Sequence, residues 1–401
     1  MRQVLKEREF RLLWLGQSAS TIGDRLVFVA LAIYVTQIGT PSDVGIVLAC
    51  HAVPLVGFLL IGGVWADRLP RHLVVVTTDL IRFGLHALLA VLIFTGTIEI
   101  WHIAVIEACC GTAEAFFRPA LTGLVPQTVP ETEIQPARAA LGTLETVAEF
   151  AGPALATALV LGVGAGWAFA FDAATFLVSA AFLIRLRPRE RGEPPVRTTV
   201  LAELREGWTE VRSHTWIWVI VSAFSFALLT CFGPWMTLGA TVSIDSYDTA
   251  AVYGILTSAM GAGTIVGALI GFRWRPRHPM RTGMLLALPF PAAFGAFAVG
   301  LPAAALFPVF VLAGTGIALF DVWWQTALAQ RVPPHMLSRV TAYDWMGSLA
   351  LLPIGYVLAG PLGEALGAAE VLAVGSALAL AGLVLTFTSR EVRRLAAATS
   401  P

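Results

Sequence analysis

The chain has 401 residues, 57% of them hydrophobic and 13% charged, with a mean hydropathy of +0.77. Soluble domains carry about 25% charged residues, so this composition excludes an ordinary water-facing surface and points to lipid as the solvent. The 26 basic residues balance 26 acidic ones and are scattered between apolar stretches, which excludes nucleic acid as a partner.

A spanning helix needs about 20 largely apolar residues. Twelve such stretches follow one another along the chain, at 12–37, 43–66, 72–95, 101–125, 137–162, 165–186, 214–239, 249–272, 281–299, 302–327, 338–361 and 367–388, numbered here as spans 1 to 12. They are continuous and Ala/Leu/Gly-rich, not the alternating segments of about ten residues that a barrel requires. The expected fold is an all-α polytopic membrane protein of twelve transmembrane helices. The first span has no small-residue cleavage site and is expected to stay in the membrane. Cys50, Cys109, Cys110 and Cys231 lie in apolar stretches without metal or disulfide spacing and read as small buried residues. No cofactor or metal is expected.

Loops after odd-numbered spans carry no Lys or Arg. Loops after even-numbered spans and the chain ends carry Arg68, Arg71, Arg138, Arg273, Arg275, Arg277, Arg331, Arg390 and others. The positive-inside rule then places both termini in the cytoplasm of a plasma (bacterial inner) membrane. The linker over 187–213 is charged, and Leu201, Leu204, Trp208 and Val211 have helical spacing within it, which predicts an amphipathic helix on the membrane surface. It separates a bundle over 1–186 from one over 214–401. The two resemble each other: Val129-Pro130 matches Val332-Pro333 and Gly152 matches Gly355, both at an offset of 203, while Val44-Gly45-Ile46 matches Tyr253-Gly254-Ile255. Two pseudo-symmetric six-helix bundles are the pattern of one large transporter class.

Between spans 2 and 3 the chain reads Gly63, then Asp67-Arg68, then Arg71-His72. This resembles the signature of the major facilitator superfamily, where the loop gates the halves rather than binding substrate. Gly23-Asp24-Arg25, Thr78-Asp79 with Arg82, Phe116-Phe117-Arg118-Pro119 and Phe171-Asp172 resemble the enterobactin-exporter and macrolide-efflux branch. Gly152-Pro153 in span 5 starts the antiporter motif, but Ala156 and Thr157 stand where that motif has paired glycines, which weakens the case for export. The resemblance implies a monomer, with spans 1, 4, 7 and 10 lining a cavity.

An ionisable residue deep in a span usually faces the bundle interior, since exposing it to lipid costs about 2.5–3.5 kcal/mol. Glu107, Glu114 and Arg118 share one stripe of span 4, at 100° per residue, as cavity lining or as a self-neutralising pair. Asp24 in span 1 is a coupling or network residue, with Gln17 two turns away and Arg25 free to reach another helix. Asp321, Trp324 and Gln325 occupy neighbouring positions of span 10, suited to a lipophilic cation or to an interfacial tryptophan belt. Glu145 and Glu149 in span 5 suit proton exchange or pairing with Arg25 or Arg82, and Asp79 with Arg82 reads as a local ion pair. Asp172, Asp344, His51, His86 and His102 are left without an assigned role.

Together these point to a secondary transporter that exchanges protons for small lipophilic or amphipathic compounds by alternating access, with an importer or uniporter of a metabolite as the alternative. Absence of a phosphate-binding Gly-x-x-x-x-Gly-Lys sequence, of a metal cluster and of a nucleophile constellation argues against ATP use and against an enzyme.

Overall fold

The computed structural model describes residues 4–189, 200–271, 273–333 and 336–395. The linker stretch 190–199 and the side chains of Gly63 and Asp67 lie outside the described residues. Among the described residues there are helices and no strands, and twelve helices are long and apolar enough to span a membrane. They run Arg8–Ile38, Pro41–Leu59, Arg71–Phe94, Ile100–Gln127, Ile134–Gly162, Ala165–Leu183, Thr215–Tyr247, Ala251–Gly271, Pro279–Ala298, Ala303–Arg331, Tyr343–Leu366 and Ala368–Thr388.

Local chemistry sets the boundaries and the breaks. Span 2 begins at a capping box, with Thr40 and Asp43 satisfying each other's backbone donors and Pro41 in the first helical turn, where its missing N–H costs nothing. Span 7 extends eight residues beyond its expected end and widens into a π-turn at Leu228–Phe232. Pro234, after Gly233, withdraws a helical donor, so the ladder must loosen there. Pro289 and Pro291 interrupt span 9 in the same way, between Pro279–Ala287 and Pro289–Ala298.

The chain forms two compact units, Met1–Pro194 and Pro195–Pro401. In the N-terminal unit span 1 packs on spans 5 and 6, span 2 on span 4, and span 3 on spans 4 and 6. In the C-terminal unit span 7 packs on 11 and 12, span 8 on 10, and span 9 on 10 and 12. The pairings are the same at a step of six spans, so the sequence repeat is also a repeat of packing. The amphipathic helix, Val200–Ser213, does more than lie on a surface: Val211 is buried in the C-terminal core and the Trp208 ring meets Tyr343 at 5.7 Å.

The N-terminal unit turns charged groups inward and apolar ones outward. Span 3 buries Asp79, Arg82 and His86 while Leu80, Ile81, Leu88 and Val91 are exposed. Close helix approach is set by glycines at repeat-related positions. A Cβ on Gly111 in span 4 would collide with the His51 carbonyl of span 2, and one on Gly314 in span 10 with the Met260 carbonyl of span 8. Gly152 and Gly355 similarly allow spans 5 and 11 to approach the backbones of spans 1 and 7. Gly111→Ala is therefore expected to lower stability by about 1–3 kcal/mol through overpacking. Gly142→Ala, which meets open space, should leave the thermal unfolding temperature unchanged or raised.

Candidate functional site

Two lines of polar side chains run through the interior of the N-terminal unit. The first crosses spans 1, 3 and 6. Arg82 donates through Nη2 to Asp79 Oδ1 at 2.6 Å and through Nη1 to Asp24 Oδ1 at 3.3 Å. Ser179 donates to Asp79 Oδ2 at 2.6 Å, and Gln17 reaches Ser179 at 3.4 Å. The guanidinium lies between the Phe117 and Phe176 rings, 4.2 and 4.3 Å from their centroids. Flanking aromatic faces favour a cation and exclude water, which strengthens the pairing.

The second line crosses spans 2, 3, 4 and 6. Glu114 Oε1 pairs with Arg118 at 2.5 Å, one turn on. Glu114 Oε2 meets His51 Nε2 at 2.9 Å, and His51 Nδ1 meets Glu107 Oε2 at 2.9 Å. The other Glu107 oxygen faces His86 Nε2 at 3.7 Å. His86 Nδ1 hydrogen-bonds Asp172 Oδ2, and Cys110 Sγ lies 3.3 Å from Nε2 of the same ring. A cavity of about 20 Å³, large enough for one water, joins the two lines and is lined by Asp24, His51, Arg82, His86, Glu107 and Glu114 among others.

The charges in these two lines do not balance without protons. Among the described residues, Asp24, Asp79, Glu107, Glu114 and Asp172 have Arg82 and Arg118 as their permanent cationic partners. An uncompensated buried carboxylate costs several kcal/mol, so the arrangement favours protons held on its histidines or carboxyls.

The expected stripe of Glu107, Glu114 and Arg118 is brought together. Asp24 pairs with Arg82, and Arg25 reaches Glu149 at 3.2 Å on a more exposed face. Arg71 donates to the Gly123 carbonyl at 2.6 Å and so caps the end of span 4, while Arg68 is exposed. Gly152 and Pro153 are buried in span 5.

In span 10, Gln325 Nε2 reaches Asp321 Oδ1 at 3.5 Å, while Trp324 turns to another partner. Trp324 is buried and donates to Asp344 Oδ2 at 2.9 Å, with its ring 5.2 Å from Trp216. Asp321 and Gln325 are exposed. The cysteines also divide: Cys110 and Cys231 are buried, Cys50 is half-buried and Cys109 is exposed. Among the described residues, no group of His, Cys, Asp and Glu has the arrangement of a metal site.

His51, His86, Cys110, Asp172 and Ser179 complete the network and were not assigned to it from sequence. One signal was present. Glu107 and Glu114 lie two turns apart, about 10.5 Å of rise, which leaves a gap that a single two-sided hydrogen-bonding ring fills.

Residues 13–350 match the sequence profile of the Major Facilitator Superfamily. The chain belongs to that superfamily. It is similar to macrolide efflux protein A of Streptococcus pyogenes, 22% identical over 402 residues, covering 96% of this chain and 97% of that protein. It is also similar to the multidrug efflux pump Tap of Mycolicibacterium fortuitum, 25% identical and covering 90% of this chain and 91% of Tap. Among solved structures, a point mutant of the nucleoside transporter NupG shares the fold, with a TM-score of 0.76 at 14% identity, covering 95% of this chain and 99% of that one. The superfamily member described here is thus a multi-pass membrane transporter and not an enzyme.

Arg82→Met strands Asp79 as an unpaired buried carboxylate and should cost about 3–5 kcal/mol, read as a lower unfolding temperature in detergent. Adding Asp79→Asn in the same chain should recover part of that loss. If Arg82→Met alone is as stable as the wild type, the pair does not have the buried role given to it.

Proposed function

We propose that this transporter is a proton-coupled exporter of small lipophilic or amphipathic compounds, working by alternating access in the plasma membrane with both termini in the cytoplasm. The observation that carries the reading is an asymmetry between the two units. At the repeat offsets, Phe310 and Ile317 in span 10 stand where span 4 has Glu107 and Glu114, and Met260 in span 8 stands where span 2 has His51. Phe310 packs in an aromatic core with Trp235 and Phe294. The same pairing of spans is therefore built in the C-terminal unit without those charges. Groups that are costly in a membrane, and that the fold can do without, suggest function.

Protons bound in such a network link its charge to the transmembrane gradient. Inward movement of one proton is worth about 2.3 kcal/mol per 100 mV, enough to sustain a useful outward concentration of substrate. Direction is supported by the efflux names of two full-length relatives. The Ala156 and Thr157 departure in span 5 weighs against it, and the fold is shared with a nucleoside transporter, so import of a metabolite is the second reading. Asp24 and Asp321, each reaching the surface of its own unit, suit the amine of an amphipathic cation. The Gly63, Asp67, Arg68 and Arg71 segment is assigned to gating, and one chain to the working unit.

Accumulation of a radiolabelled macrolide in an efflux-deficient bacterium tests direction and coupling together. Expression should lower accumulation several-fold, and a protonophore or Glu114→Gln should restore it. Expression that instead raises accumulation, with a protonophore abolishing the rise, would establish import.

A further inference from the structure

We infer that the Glu107–His51–Glu114 bridge holds the exchangeable proton, and that its loss unfastens span 2 from Glu114. The inference rests on the proton-coupled reading above and names the place where that coupling acts.

Hydrogen-bond counting supplies the first argument. Both ring nitrogens of His51 lie 2.9 Å from a carboxylate oxygen. A neutral imidazole has one N–H and one lone pair, and an ionised carboxylate only accepts. Two such contacts to two ionised carboxylates cannot both be hydrogen bonds. The bridge therefore carries one proton more than a neutral ring between two carboxylates, either as an imidazolium or as a neutral ring beside one carboxylic acid.

The second argument is what each end can do when that proton leaves. His51 is fixed: Gly111 lets the span 4 backbone press on its carbonyl, and Phe28 of span 1 packs its edge on the ring at 5.2 Å. Glu107 is fixed too, fully enclosed between His51 and His86. Of the two carboxylates, Glu114 has a second, permanently charged partner, Arg118, whose own side chain is about half exposed. In the unloading step the Nε2–H bond breaks and the proton passes to Glu114 Oε2, which then releases it to water. The Nε2 lone pair then faces a carboxylate oxygen, which is repulsive, while Glu114 keeps its pair with Arg118. His51 retains Nδ1–H and its bond to Glu107. One link between spans 2 and 4 opens and the other stays closed.

The surroundings suit a proton that comes and goes. Around the one-water cavity, the bridge is faced by Asp24 from span 1, Arg82 and His86 from span 3, Cys110 from span 4 and Phe176 from span 6, with Arg118 on Glu114 and Asp172 behind His86. Glu107 Oε1 is buried without a hydrogen-bond partner. Buried acceptors rarely stay unpaired, and this one is aimed at His86 Nε2, where a further proton would satisfy it.

The test uses full-length protein in lipid bilayers, with ¹⁵N-labelled histidine ring signals and the infrared carboxylic-acid C=O band followed from about pH 6 to about pH 10. The signal missing from His51→Gln should show either a doubly protonated ring or, with Glu114→Gln shifting it, a carboxylic-acid band, and that proton should be lost as pH rises. Glu114→Gln also assigns the ring signal should His51→Gln not fold. A singly protonated ring with no acid band at neutral pH, or a proton retained throughout, would overturn the inference. Gradient-driven macrolide export by the wild type, measured alongside, separates the two failures. Export without a proton on the bridge removes this site alone, while a bridge proton without gradient-driven export removes the coupling reading.

Discussion

An ionised side chain in hydrocarbon must find its counter-charge inside the protein, and most of the N-terminal unit follows from that constraint. Span 3 turns Asp79, Arg82 and His86 inward and leaves Leu80, Ile81, Leu88 and Val91 outward. Spans 1, 2, 4 and 6 then supply the partners: Asp24, His51, Glu107, Glu114, Asp172 and Ser179. Apolar packing in a membrane gains little from lipid exclusion, because lipid tails are as apolar as leucine. Close backbone contact at Gly111 and Gly152 and buried polar bonding therefore carry much of the helix association.

The C-terminal unit shows that the packing itself does not require this chemistry. Its spans pair in the same order, and Gly314 and Gly355 make the equivalent close approaches. Its centre is a stack of Trp235, Tyr253, Phe294, Phe297 and Phe310. One unit thus provides a chargeless version of the crossing between spans 2 and 4, and the other loads the same crossing with two carboxylates and a histidine. Such a division suits a transporter in which proton binding is concentrated in one half of a duplicated fold.

Sequence alone disclosed the twelve spans because hydrophobic length and loop charge are local properties. It disclosed the repeat because Gly152 and Gly355, or Val129-Pro130 and Val332-Pro333, serve the same backbone geometry twice. The stripe from Glu107 to Arg118 was legible because helical periodicity alone brings those residues together. The histidine links were not, since His51 and His86 meet their partners on helices 21 to 86 residues away and nothing local encodes those crossings. The Trp324 partner was hidden for a related reason. The spacing of Trp324 from Asp321 describes one helix, whereas its partner Asp344 lies on the next.

Proton binding in the N-terminal unit and substrate movement must be two sides of one exchange for this account to hold. The most direct measurement is proton movement in liposomes containing only this protein, loaded with a pH-sensitive dye and given a macrolide gradient at zero initial pH difference. The account predicts a macrolide-dependent proton flux, opposite in direction to the macrolide and beyond that of protein-free liposomes. Macrolide transport by the protein with no accompanying proton flux would contradict it.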